Sequence, residues 1–158
     1  MEPKWVKQPM LPLDKAVAMI NMDMIGRIKD NKLYIGGVGT GSTFKSLVKQ
    51  AQTRYGFRIE YSAGGFAAND HTSFVSKHIP VLFFFSGLHS DYHKPSDTWD
   101  KINSEDAGRL LNVVSAVAFE IANAPDHHGC RRQARGLDRR GAATAPISVS
   151  FTQAVFRT

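Results

Sequence analysis

Val17-Ala18-Met19-Ile20-Asn21-Met22-Asp23-Met24-Ile25 is apolar except at Asn21 and Asp23, and its reading decides the fold. A short run of this kind, ended by Gly26, predicts a buried strand covered on both faces, as strands of parallel sheets are. Asn21 and Asp23 are two residues apart and share a strand face. An unpaired carboxylate on such a strand is costly, so Asp23 needs a cation or strong donors. Ligand sites in open α/β sheets lie outside the carboxyl ends of strands, which is where Asp23 falls. The plainer reading is an Asp that caps the turn at Gly26.

Working outward, Lys32 to Ile35 reads as a short strand, and Gly36 to Gly41 as a glycine-rich turn. Ser42 suits the N-cap of a helix in which Phe44, Leu47, Val48, Ala51 and Tyr55 recur at helical spacing. Gly56 stands where a C-terminal cap belongs. Phe57 to Tyr61 alternates apolar and charged residues, the pattern of a strand with one solvated face. Pro80 to Phe85 (PVLFFF) is the most hydrophobic run and reads as a central strand. The last helix starts at Asn103 or Ser104, with Glu105 and Asp106 placed against its N-terminal dipole. Leu110, Val114, Val117, Ala118 and Ile121 form its apolar stripe, and Pro125 follows its end. Strands alternating with helices predict an α/β fold: part of a three-layer α/β/α sandwich around a mostly parallel sheet.

The chain of 158 residues fits one domain or part of one. Its net charge of +6 is unevenly spread. Residues 1–125 hold 14 Lys and Arg against 12 Asp and Glu, whereas residues 126–158 hold 6 Arg and 2 Asp. The division expected is therefore a near-neutral body, 1–125, and an Arg-rich tail, 126–158. His127 to Arg140 (HHGCRRQARGLDRR) has no periodicity, and disorder without packing against the body is expected of the whole tail, 126–158, a composition that a shifted reading frame would also give. Ile147 to Phe156 carries a few apolar residues with no partner element in view. The single Cys130 leaves the redox compartment open. No apolar run approaches the roughly 18 residues of a membrane span, and none follows the early lysines as in a signal peptide.

Four segments carry chemistry in a fixed order: Asn21-Met22-Asp23-Met24-Ile25-Gly26, Asn69-Asp70-His71-Thr72-Ser73-Phe74, Ile79 to Phe84, and Tyr92-His93-Lys94-Pro95-Ser96-Asp97-Thr98. Over roughly Pro9 to Pro125, that order and spacing resemble the second half of the co-catalytic di-zinc exopeptidases. This is the family of bacterial leucyl aminopeptidase and aminopeptidase Y. The resemblance implies a metallo-aminopeptidase that removes N-terminal residues from peptide substrates with the help of two zinc ions. It implies Asp23 and His93 as the two late metal ligands, one to each zinc. Asn21 and Asp97 would orient them, as ligands need hydrogen-bonding partners. It also brings Asp70 and His71 near the substrate pocket, although His71 could equally be a helix-start residue that packs locally. Members of the family often work outside the cytoplasm.

The departures from the pattern are specific. The family's early His-x-Asp, its bridging Asp and its Glu-Glu pair, whose first Glu is the general base, do not precede Asp23. His89-Ser90-Asp91 has the His-x-Asp spelling, but it stands immediately before His93. The reading that follows is a truncated chain, inactive alone, whose partner would be a missing N-terminal half of the same domain. Two alternatives stand beside it: a non-catalytic binding module on the same fold, and a nucleotide-binding domain using the glycine-rich turn. Against the latter, a phosphate-loop pattern begun at Gly36 puts Ser42 where lysine must be. Without aromatic residues among its arginines, the tail carries no nucleic-acid reading.

Overall fold

The computed structural model describes residues 8–9, 12–65, 71–124 and 155–156. Its elements are β1 (Ala16–Asp23), β2 (Lys32–Gly36), α1 (Phe44–Tyr55), β3 (Arg58–Tyr61), α2 (His71–Val75), β4 (Val81–Phe85), α3 (Ser104–Asn123) and β5 (Val155–Phe156). The strands form one sheet in the order β3-β2-β4-β1-β5.

Link length explains the directions. The eight residues between β1 and β2 are too few for a helical crossover, so the chain returns in the opposite sense. β4 fills the gap between them, parallel to β1 and antiparallel to β2. The link from β2 to β3 contains α1, and those strands are parallel. Two of the three junctions among β3, β2, β4 and β1 are therefore parallel. The β2–β4 reversal sends the carboxyl ends of β1 and β4 to one end of the sheet, and those of β2 and β3 to the other.

Local chemistry sets the helix ends. Gly56 closes α1 at φ 75°, its N–H donating to the Gln52 carbonyl at 2.9 Å. The N-cap position of α1 falls to Thr43, one residue beyond the Ser42 expected, and no side-chain cap bond forms there. Asn103 caps α3 by accepting from the Asp106 N–H at 3.1 Å.

The sheet's two faces are unequally covered. Ala18 and Ile20 of β1, Leu33 and Ile35 of β2, and Leu82 and Phe84 of β4 pack beneath α1 and α3, forming the main core with Phe44, Val48, Leu110, Val113 and Val117. On the other face, Met19 and Val81 are covered by Phe74 of α2 and by Ile79. Asn21, Asp23, Phe83, Phe85 and Tyr34 lie further along that face and are only half buried. Coverage of β1 on both faces, expected from its apolar run, thus holds for only part of its length. The second helical layer is the five-residue α2, too short to span the strands.

In the tail, Val155–Phe156 pairs antiparallel with β1 at Ala16 and Ala18, so the end of the 147–156 stretch does meet a partner strand. The expected disorder of the Arg-rich segment lies outside the described residues. Among the described residues, no helix is long and apolar enough to cross a membrane.

Candidate functional site

Asp23 is the last residue of β1 and pairs in register with Phe85, the last of β4. Both strands then enter loops at the same end of the sheet, and these loops are tied together. Ser86 donates its hydroxyl proton to the Met24 carbonyl. The Asn103 N–H donates to the Gly26 carbonyl at 2.8 Å. Ile102 packs over Gly26 so closely that a Cβ there would lie 3.4 Å from its Cγ2. Arg27, at the close of a 3₁₀ turn spanning Ile25–Arg27, donates to Asp91 Oδ2 at 2.9 Å and Asp97 Oδ1 at 2.5 Å.

His93 stands between those two carboxylates in sequence. It is exposed, its ring lies 4.0 Å from that of Tyr92, and its φ is 56°. Met24, which follows Asp23, also has φ 56°. A non-glycine residue in this left-handed region is costly unless its surroundings hold it, and His is among the residues that tolerate it best. Asp23, at the end of β1, and the loop after β4 that carries His93 thus belong to the same end of the sheet.

The expected orienting residues have other contacts here. Asp97 serves Arg27 and lies 3.7 Å from His89 Nε2, an ion pair only when that ring is protonated. The Asn21 amide nitrogen lies 3.4 Å from His71 Nδ1. His71 begins α2, is buried, and stacks on Phe83 with ring centroids 4.7 Å apart. Together they form one wall of a cleft of about 320 Å³, with Tyr34, Gly36, Glu60 and Ser62 on its other sides. By register, Asn21 and Asp23 lie on the Phe83–Phe85 face, so Asp23 shares the cleft's face two residues further along. Asp70 lies outside the described residues.

Two residues in this region carry more than the sequence reading assigned them. Arg27 received no role there, and Asp91 was noted only within a misplaced motif. Asp91 also accepts from the Ser96 hydroxyl at 2.7 Å and pairs with Lys101 at 3.1 Å. The Arg27 hydrogen bond first, then those of Ser96 and Lys101, hold its carboxyl far below the usual carboxylate range. The only sequence signal was a lone arginine just past the glycine that ends an apolar strand.

The glycine-rich turn lies at the opposite end of the sheet and is built to support the fold. The N–H groups of Gly37, Val38 and Gly39 donate to the carbonyls of Gly64, Ser62 and Ala63, and that of Thr40 to Gly37. A phosphate cradle keeps such donors for its ligand. Gly37 has φ 80°, and a Cβ there would lie 2.2 Å from the Val81 carbonyl oxygen. The nucleotide-binding alternative therefore loses its loop.

The model of peptidase family M28 matches residues 3–118, nearly three-quarters of the chain. The chain belongs to peptidase family M28. Among solved structures, the Legionella pneumophila LapA aminopeptidase matches at 23% identity and TM-score 0.57, over 68% of this chain and 31% of that one. An aminopeptidase from Aneurinibacillus sp. strain AM-1 matches at 24% identity and TM-score 0.61, over 74% and 29%. BSAP, a zinc aminopeptidase from Bacillus subtilis, matches at 21% and 0.53, over 71% and 30%. At these identities the likeness is one of fold, and the M28 chain spans about a third of the length of each. A comparison with curated proteins finds no match.

Zinc chemistry suits the donors in kind, since carboxylate and imidazole are both ordinary zinc ligands. In number they fall short. Among the described residues, no three His, Cys, Asp or Glu side chains come together to hold a metal ion. A catalytic zinc ordinarily takes three protein ligands and keeps one position for water.

Proposed function

We propose that this chain is the C-terminal, ligand-bearing portion of a zinc-dependent aminopeptidase domain that acts on peptides. What carries the reading is the meeting of the loops after β1 and β4 at one sheet end, in a chain of family M28. Asp23 and His93 are each offered to a metal there, and the remaining donors and the general base come from outside this chain. Zinc, when bound, would supply Lewis-acid polarisation of a peptide carbonyl and would lower the pKa of a water, so that the general base can take its proton and leave a nucleophile. The chain's own residues supply the surroundings. His71 and Phe83 form an apolar, stacked wall beside Asp23, and Asn21 holds the His71 ring. That wall suits contact with a peptide side chain.

Alone, the chain is expected to release no measurable product from aminoacyl-p-nitroanilides with zinc added. Loss of a general base by itself removes about 10²–10⁴-fold of rate. Hydrolysis that Asp23→Ala and His93→Ala both abolish would overturn this, because it requires a complete site. A non-catalytic module on the same fold is the second reading, favoured by the lack of a three-donor group among the described residues. Zinc titration separates the two: a metal-donor role requires the Asp23 and His93 signals to respond, whereas a binding module leaves them unmoved.

A further inference from the structure

The Arg27 guanidinium bridges two carboxylates that flank His93. Asp91 lies two residues before it and Asp97 four after, and each takes a different arm of the fork. Arg is suited to this, since its planar fork reaches two acceptors where a lysine offers one point charge. The Asp91 arm of the bridge is partly shielded from water, with side-chain exposures of 19% for Arg27 and 15% for Asp91, whereas Asp97 is 39% exposed. Lys101 closes the far side, donating to the Ser96 carbonyl at 2.7 Å and pairing with Asp91. Between the anchors, the Lys94 N–H bonds to the Asp91 carbonyl at 2.9 Å and the Asp97 N–H to the Lys94 carbonyl at 3.0 Å. These turns leave His93 at φ 56° and exposed, a conformation the segment has to be held in.

We infer that Arg27 is a positioning residue: by gripping Asp91 and Asp97 from the loop after β1, it holds the His93 loop against the end of the sheet where β1 closes on Asp23. The inference rests on the proposed metal-donor role of His93. Arg27 sits four residues past Asp23, so one short turn carries a donor and the clamp for the other donor's loop. The placement of the His93 loop relative to the end of β1 is then set by a side-chain bridge.

The test compares the full chain with its Arg27→Gln and Arg27→Lys variants. One readout is chymotryptic cleavage after Tyr92 and Trp99; Trp99 is 84% exposed, so side-chain burial does not block the protease and local opening of the backbone limits the rate. The other is the imidazole ¹⁵N signal of His93 during titration with zinc chloride. Arg27→Gln should raise cleavage about tenfold or more, as loss of charge-assisted bonds increases the open population. It should also demand about tenfold more zinc for the same His93 shift, the size typical of losing a group that orients a ligand. Arg27→Lys should recover little of either, because its donors share one nitrogen, whereas the guanidinium reaches the two carboxylates from separate nitrogens.

Unchanged cleavage in Arg27→Gln overturns the clamp. Faster cleavage with an unaltered zinc response at His93 reduces Arg27 to a loop fastener and overturns the positioning role. Full recovery in Arg27→Lys overturns the two-armed bridge. A His93 ring indifferent to zinc in the parent chain sinks the metal-donor reading itself, and it shows before any substitution is made. Asn103 and Ile102 hold the end of the loop to Gly26 independently of Arg27, so the variants should fold, which circular dichroism checks.

Discussion

The two ends of the sheet are closed by different chemistry. At the carboxyl ends of β2 and β3, the glycine-rich turn is held by backbone hydrogen bonds and by contacts too close for a Cβ. Thr40 completes it, its hydroxyl accepting from the Val81 N–H at 2.9 Å and donating to nearby carbonyls. At the carboxyl ends of β1 and β4, the charges of Arg27, Asp91, Asp97 and Lys101 join the Ser86–Met24 and Asn103–Gly26 bonds in bringing the loops together. Backbone bonds and packing are nearly indifferent to pH and salt, whereas ion pairs at partial exposure respond to both. One end is therefore fixed framework, and the other is an adjustable end that carries the candidate donors.

The contrast breaks most visibly at Gly37. Gly37→Ala is expected to cost about 3 kcal/mol, since it forces a Cβ into the Val81 carbonyl at a positive φ. Urea unfolding followed by circular dichroism would show it as a lower midpoint. A cost under about 0.5 kcal/mol would mean that this end yields as readily as the other.

A smaller, local effect is expected from acid. The Asp91 carboxyl is depressed in the folded chain, so its contribution is fully present above the ordinary carboxylate range near ~4. It fades as pH falls below that range toward the lowered value. Corrected for the intrinsic pH dependence of exchange, protection at the Lys94 and Asp97 amides should fall there while protection at Gly37 and Gly39 is kept. An equal loss of protection at both ends would erase the distinction.

The smallest effect belongs to an exposed pair on the β2–β3 edge. Lys32 pairs with Glu60 at 2.8 Å, and the Glu60 hydrogen bond is the main cause of its pKa rising to about 12. A raised value means that the pair's support is complete below the unfolded lysine value near ~10.4 and is lost as pH climbs through about 12. Both partners are well exposed, so Glu60→Gln should leave the melting temperature at pH 7 unchanged within replicate scatter. A clear drop would show that this end also depends on charge.

How far the sequence carried the reading differs by element. β1 and β4 were legible because an apolar run bounded by Gly or Pro has few other solutions, and Gly56 because a helix end in the left-handed region selects it. The ordered motifs around Asp23 and His93 were enough to suggest the family to which the chain belongs. The β2–β4 reversal was written only in the shortness of the link after β1, a signal that alternation of strands and helices hides. The His71 partner of Asn21 and the Arg27 partner of Asp91 and Asp97 were not written locally at all. His71 lies fifty residues from Asn21, and Arg27 lies sixty-four from Asp91 and seventy from Asp97. Periodicity, caps and composition report on neighbours in the chain, and through them the sequence by itself determined β1 to β4, the two long helices and the kinds of donor present. Which donors share an end of the sheet, and which arginine holds them there, was decided only by strand order, because it brings distant loops within hydrogen-bonding reach.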